Sequence, residues 1–260
     1  MLNSTIFFTF HIFCIIIMMV IDVDKVMELQ KMIDESNNIV FFGGAGVSTE
    51  SGIKDFRSKD GLYNMQYKYP PEKILSHSFF MHNTLEFYKF YCDKLNCLDA
   101  SPNICHKYLA NLEKKGKLSA IVTQNIDGLH EKAGNKRIYN LHGSIYNNYC
   151  MNCERRFDAS FIFNSTGIPK CECGGIIKPD VVLYEEALDG SVVEVAIKAI
   201  SNCDLLIVAG SSLSVYPASS FIRFFRGKNL VIINNDTTDY DYMANLVIND
   251  KIGNVFNRLK

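Results

Sequence analysis

The sequence carries no surplus of charge of either sign: 27 Lys and Arg stand against 28 Asp and Glu, a formal −1. That balance excludes a strongly basic nucleic-acid binder, whose affinity comes from neutralising phosphates, and equally a long acidic disordered tail. Collagen-like, mucin-like and low-complexity tracts are missing too. What is present is 260 residues, 48% apolar and 21% charged, enough to bury a sizeable core in one or two domains. Nine cysteines do not fit full disulfide pairing, and the length excludes a disulfide-stapled mini-protein.

The N-terminus lacks what a secretory signal needs. Ile6 to Ile21 is apolar apart from Thr9 and His11, yet the first lysine is Lys25 and no small-residue cleavage site follows. The run sits at the short limit for a bilayer span, which takes roughly 17–25 residues. A membrane anchor, a signal peptide and an extension outside the fold all stay open. The extension is the preferred reading, because Met18, Met19 and Met27 each offer a start before a clean domain.

From Asp22 the pattern turns regular. Val26, Leu29 and Ile33 recur with helical spacing up to Ser36-Asn37-Asn38. Ile39–Phe42, Ala120–Val122, Leu205–Val208, Leu230–Ile233 and, more weakly, Leu246–Ile248 are short apolar runs separated by helical lengths. Such runs read as strands of a parallel sheet buried on both faces, an α/β fold. Small and polar residues follow the first four: Gly43-Gly44-Ala45-Gly46, Thr123-Gln124-Asn125-Ile126-Asp127, Gly210-Ser211-Ser212 and Asn234-Asn235-Asp236. Turn formation explains any one of them, but four together place a nucleotide at the carboxyl edge of the sheet. The glycine loop would let backbone N–H groups approach a pyrophosphate. Its third glycine is missing, since Thr49 stands there, which disfavours an ordinary dehydrogenase.

Cys150-x2-Cys153, followed after seventeen residues by Cys171-x-Cys173, can surround one tetrahedral Zn²⁺ with thiolates. Four sulfurs leave no open position, so the role would be structural. Two disulfides or four unrelated cysteines are the competing readings. Gly174-Gly175 directly after the second pair suits a tight metal knuckle. Free thiolates require a reducing interior, so a cytoplasmic location is expected. Cys14, Cys92, Cys97, Cys105 and Cys203 read as core or surface residues.

In this order the motifs resemble those of the sirtuins: Gly44-Ala45-Gly46-Val47-Ser48, Gly52-Ile53-Lys54-Asp55-Phe56-Arg57-Ser58, Thr123 to His130, Leu141-His142-Gly143, the cysteines, Lys178-Pro179-Asp180-Val181-Val182, and Gly210 to Val215. The resemblance spans roughly residues 26 to 256. It implies an NAD-dependent protein-lysine deacetylase that releases nicotinamide, free lysine and O-acetyl-ADP-ribose. The implied fold is a Rossmann-like parallel sheet (22–54, 106–143 and 181–260) carrying an inserted small zinc-ribbon and helical module (55–105 and 144–180), with 1–21 outside it.

The resemblance also implies site roles. His142 would be the general base, with Asn125 beside it as a catalytic residue. Arg57 and the glycine loop with Gly44, Ala45 and Gly46 would hold diphosphate, Phe56 would cover the nicotinamide pocket, and Asn125 and Asp127 would bond the carboxamide and ribose side. Ser211, Ser212 and Asn234 would take the adenosine half, and Thr49, Gln124, Ile126, Asn235 and Ile252 would complete the cofactor site. Acetylated proteins would bind as an extended strand between Val181-Val182-Leu183-Tyr184 and Ser214-Val215, by main-chain pairing. No direct nucleic-acid contact is expected, and a membrane only if the N-terminal run is an anchor. The competing functions are mono-ADP-ribosyl transfer in the same NAD pocket and a non-enzymatic NAD-sensing zinc module.

Three departures from the sirtuin pattern have consequences. No Arg lies between Ser58 and Lys136, so the Tyr-x-x-Arg pair with which some relatives hold acidic acyl groups is missing, and neutral acyl groups are expected. Glu185 stands where Gly is common, which would favour basic residues flanking the substrate lysine. Lys54 stands where Pro is common, which loosens the loop in the free chain. Restoring a compatible proline is worth about 0.4–1 kcal/mol, so Lys54→Pro is expected to tighten NAD binding about 2- to 5-fold by calorimetry. Equal dissociation constants would count against this.

Overall fold

The structure is a computed structural model that describes residues 24–57, 61–64 and 67–260. The apolar N-terminal run lies outside the described residues.

Six strands form one all-parallel sheet: β1 (Ile39–Gly43), β2 (Leu118–Thr123), β3 (Ile138–Asn140), β7 (Leu205–Ala209), β8 (Asn229–Ile233) and β9 (Leu246–Ile248). Their order is β3-β2-β1-β7-β8-β9. Every residue of β1 and β7 is buried, as expected for strands covered on both faces. Alternation along β1 sends Ile39 and Phe41 to one face and Val40 and Phe42 to the other. The first face carries the helices over 24–35, Ile104–Lys114 and Ile252–Phe256. Gly190–Asn202 and the 3-10 helix Ala218–Phe224 cover the second. Each of the five apolar runs from Ile39 onward is a strand here. β3 went unread because it has three residues, all half-buried, and so shows no apolar block.

A second, antiparallel sheet joins β4 (Gly143–Cys150), β5 (Arg156–Phe157) and β6 (Ile177–Val181) in the order β5-β4-β6. Its core is aromatic. Phe80, Phe87, Tyr88, Phe90 and Tyr91 from short helices pack with Ile145, Ile177 and the sulfur-bearing Cys150 and Cys171. Tyr91 stacks between Phe87 and Phe163 at 5.5 Å from each ring. Among the described residues no helix is long and apolar enough to cross a membrane.

The strand order reverses direction between β1 and β7: from β1 the chain builds outward to β2 and β3, and from β7 to β8 and β9. A crevice outside the carboxyl ends of the strands follows at that point. The helix Ile104–Lys114 is anchored to it. Asn103 caps the helix through the Cys105 and His106 amides, and its Nδ2 donates to the Val47 carbonyl at 2.7 Å. His106 completes the capping box by accepting the Asn103 amide on Nδ1.

His106 and His130 sit ring to ring at 4.7 Å, both buried, with His106 Nε2 and both nitrogens of His130 lacking partners. Burial pushes the His106 pKa down to about 4 and that of His130 well below the ordinary range, His106 adding to the latter. Protonation therefore favours the unfolded chain. Stability is complete above the unfolded histidine pKa near 6.5 and is lost as the pH falls from there toward the folded value. His106 alone should cost about 2 kcal/mol between pH 7 and 5. His106→Gln keeps the capping acceptor and should flatten that loss in urea midpoints; an unchanged slope would overturn the assignment.

Candidate active site

The crevice is a cleft of about 1210 Å³ between the large sheet and the aromatic unit. That exceeds the roughly 300–1,000 Å³ of a drug-sized site and leaves room for more than one small molecule.

Its floor is the loop after β1. Gly44 N–H donates to the Ala209 carbonyl at 3.1 Å and Gly46 N–H to that of Gly210 at 2.8 Å. A Cβ on Gly44 or Gly46 would lie 2.7 Å from Gly210 backbone atoms, so no larger residue fits. These glycines weld two strand ends together, and their own N–H groups are used in doing so. The Ala45 amide, at the start of the 3-10 helix Ala45–Ser51, has no hydrogen bond among the described residues.

Buried polar groups converge above this floor. Asn125 Nδ2 donates to Ser48 Oγ at 3.1 Å, and Ser48 Oγ to Asp127 Oδ2 at 2.6 Å. Asp127 also accepts the Leu129 amide at 2.9 Å. Burial raises the Asp127 pKa above the usual aspartate value, against these hydrogen bonds. Ser48 is the central member of this set. It stands in the segment after the glycine loop, and only the fold brings it between Asn125 and Asp127.

His142 enters from the segment joining β3 to β4. Its Nδ1 lies 2.9 Å from the Gln124 carbonyl. A carbonyl only accepts, so Nδ1 carries the proton and Nε2 is left as a free lone pair. Burial lowers the His142 pKa, partly opposed by that hydrogen bond, and the ring is neutral at physiological pH.

Ser211 Oγ donates to Gln124 Oε1 at 2.8 Å, and Asn234 Nδ2 to the Ser211 carbonyl at 3.2 Å, tying the ends of β2, β7 and β8 together. Thr49, Ile126, Ser212, Asn235 and Ile252 line the same cleft, as do Phe56 and the exposed Arg57. Gly44 stands behind the wall. Ser214 is also off it, its hydroxyl paired with that of Ser212 at 2.8 Å.

Val181 to Tyr184 form one side wall and Val215 the other. Leu213 and Glu185, on these two segments, hold positive φ values of 53° and 75°. Backbone strain of this kind gathers at binding sites. The left-handed turn suits glycine, and Glu185 keeps it while its carboxylate accepts the Ser78 amide at 2.8 Å and hydroxyl at 3.0 Å. Ser78 thereby holds the Glu185 pKa below the usual range. The carboxylate is anchored to the helix His77–His82 and keeps its charge at the rim of the cleft. Next to it, Glu186 accepts from Leu183 N, Lys178 Nζ and His77 Nδ1 at 2.9, 3.2 and 2.8 Å and so fixes the wall's turn.

The sequence reading missed one further wall. Tyr91, Lys94, Leu95 and Cys97 line the cleft, and the buried Tyr91 hydroxyl has no hydrogen-bond partner. Lys94 pairs with Asp93 at 2.8 Å. Burial pushes the Cys97 thiol up to about 12, with Asp127 adding to it, so it stays protonated.

The four cysteines gather away from the cleft. Their sulfurs lie within 4.8 Å of one another, with pairs at 3.4, 3.5 and 3.7 Å. A disulfide needs about 2.05 Å, whereas thiolates around tetrahedral Zn²⁺ at about 2.3 Å stand about 3.8 Å apart. A Cβ on Gly175 would come within 2.6 Å of Cys150 Sγ. The residues present fit a zinc ion, and no catalytic group lies among them.

A parallel sheet with its crevice at the switch point, and a second unit with a four-thiol centre fit for a structural metal, define an α/β protein of the nucleotide-binding kind. The Sir2 family model matches residues 44–217. NAD-dependent protein deacetylases of Clostridium acetobutylicum and Clostridium perfringens are 57% and 56% identical over 236 and 240 residues. They cover 89% and 91% of this chain and 96% and 98% of their own. A solved Sir2 variant with a deacetylated p53 peptide and 3′-O-acetyl-ADP-ribose has a TM-score of 0.83 at 37% identity, covering 90% of this chain and 96% of its own. A Sir2–p53 peptide–NAD⁺ complex has a TM-score of 0.79 at 37% identity, with 89% and 95% covered. The chain belongs to the Sir2 family.

Metal removal tests the cysteine centre. Exhaustive chelation, or Cys173→Ser, should release about one zinc per chain and lower Tm by about 10 °C or more. Full metal content and an unchanged Tm after Cys173→Ser would refute it.

Proposed function

We infer that the cleft carries out NAD-dependent deacetylation of protein lysines, with His142 as general base. The free Nε2 lone pair of His142, facing the cleft while Nδ1 is locked on the Gln124 carbonyl, carries this reading. When bound, NAD would supply a ribose carbon electrophilic toward the acetyl oxygen, with nicotinamide as leaving group, and would carry the acetyl group away as O-acetyl-ADP-ribose.

The chain's own residues do the rest. His142 Nε2 takes a proton from a ribose hydroxyl, a task for which a neutral imidazole is suited. Asn125, held by Ser48, offers an amide to the nicotinamide ribose side, with buried Asp127 beside it. Phe56 excludes water from that end. Arg57 and the Ala45 amide face the diphosphate, with Gly44, Gly46 and Thr49 shaping the loop. Gln124, Ile126, Ser211, Ser212, Asn234, Asn235 and Ile252 hold the remainder of the dinucleotide.

Acetylated protein enters as an extended strand between the side walls. Tyr184 cannot pair with it through its backbone, because its N–H donates to Leu75 and its carbonyl accepts from His77. The Val182 carbonyl and Glu185 amide have no partner among the described residues and are the groups offered to a substrate main chain. Leu183 and Val215 flank the acyl-lysine, with Ser214 at the rim. A solved Sir2 bound to acetylated peptide is 35% identical to this chain.

His142→Ala should cost about 10²- to 10⁴-fold in turnover of an acetyl-lysine peptide. In the wild type kcat/KM should fall on the acid side as the imidazole protonates, with its midpoint below the ordinary histidine value near 6.5. An alanine variant as active as wild type, or a midpoint above that value, would remove His142 from the mechanism.

A further inference from the structure

Among the described residues, a hydrogen bond between two side-chain hydroxyls joins the loop bearing Phe56 and Arg57 to the Val181–Tyr184 wall. The Tyr63 hydroxyl meets that of Tyr184, 121 positions away. Each tyrosine is fixed to a different half of the site. Tyr63 N–H donates to the Phe56 carbonyl at 2.9 Å, and the Tyr63 ring stands edge-on to Phe56 at 5.6 Å. The Arg57 guanidinium lies over the same ring, 5.2 Å from its centre. Tyr63 therefore holds both Phe56 and Arg57. Tyr184, for its part, is pinned through its backbone to Leu75 and His77 and continues the wall begun by Val182 and Leu183.

We propose that Tyr63 and Tyr184 are a pair of positioning residues that transmit occupancy of the peptide wall to the loop bearing Phe56 and Arg57. Neither touches the reacting atoms. A peptide seated against the pinned Tyr184 wall holds the Tyr184 hydroxyl on that of Tyr63, and the loop is then set for the dinucleotide before it binds. By linkage the dinucleotide strengthens peptide binding by the same factor. Burial keeps the Tyr63 hydroxyl protonated, its pKa raised well above the usual tyrosine value with the hydrogen bond to Tyr184 adding to it. The bond therefore persists throughout the working pH range.

This rests on the deacetylase reading, and the test separates the two. The affinity of the unreactive analogue carba-NAD is measured on the full chain by calorimetry, with and without a saturating acetyl-lysine peptide. Wild type, Tyr63→Phe, Tyr184→Phe and the double variant are compared. Phenylalanine keeps the ring packing, and thermal midpoints check the fold of each single variant independently. Peptide should tighten carba-NAD binding in the wild type. Each single change should cut that tightening about 3- to 10-fold, the range of one net hydrogen bond, and the double variant should lose no more. Wild-type tightening in both single variants, losses that multiply in the double, or no tightening in the wild type would overturn the proposal. Wild-type deacetylation, run alongside, reports on the reaction itself: coupling without turnover strikes only the deacetylase reading, and turnover without coupling strikes only the pair.

Discussion

Bare backbone meets bare backbone where β1 and β7 end. Gly44 and Gly46 lie against Gly210 so closely that a methyl group on either would collide. Every other feature of the site depends on this approach. It sets where the 3-10 helix Ala45–Ser51 begins, and therefore where Ser48 stands beneath Asn125 and Asp127. It brings Ser211 within reach of Gln124, whose carbonyl in turn orients His142. One steric constraint in the sheet is thus carried through three strand ends to a single imidazole nitrogen.

The polar groups above that contact are mostly buried, which makes their satisfaction decisive. Ser48, Asn125 and Asp127 exchange hydrogen bonds at 2.6–3.1 Å, so removing any one strands the others at the full cost of desolvation. Behind them, His106 Nε2 and both nitrogens of His130 are buried without partners. Acid therefore acts on the packing behind the cleft, where these imidazoles must take up protons.

Much of the large sheet was legible because its strands are covered on both faces. A strand buried on both sides is an unbroken apolar run, and five such runs mark β1, β2, β7, β8 and β9. β3, at the sheet's edge, carries no such mark. The thiol centre was legible from spacing, since two knuckles constrain their own geometry. The cleft's polar residues were legible by position after strands. Their directions were not: the glycine amides turn to Ala209 and Gly210, and the Glu185 carboxylate turns to Ser78. The Tyr91–Cys97 wall was hidden because an aromatic helix reads as core, and the core and the cleft share its residues.

Directions of this kind are decided by tertiary neighbours. Gln124 illustrates the point. Its amide N–H pairs with Gly43, its carbonyl with His142 and its side chain with Ser211, so one residue serves β1, β7 and the His142 segment together. Nothing in a Thr-Gln-Asn string announces that. The carbonyl matters most, because a donor in its place would stabilise the other imidazole tautomer and point the protonated nitrogen at the cleft. The basicity of His142 is therefore a property of the β2 backbone as much as of the histidine, and main-chain geometry at that position constrains the chemistry more tightly than side-chain identity does.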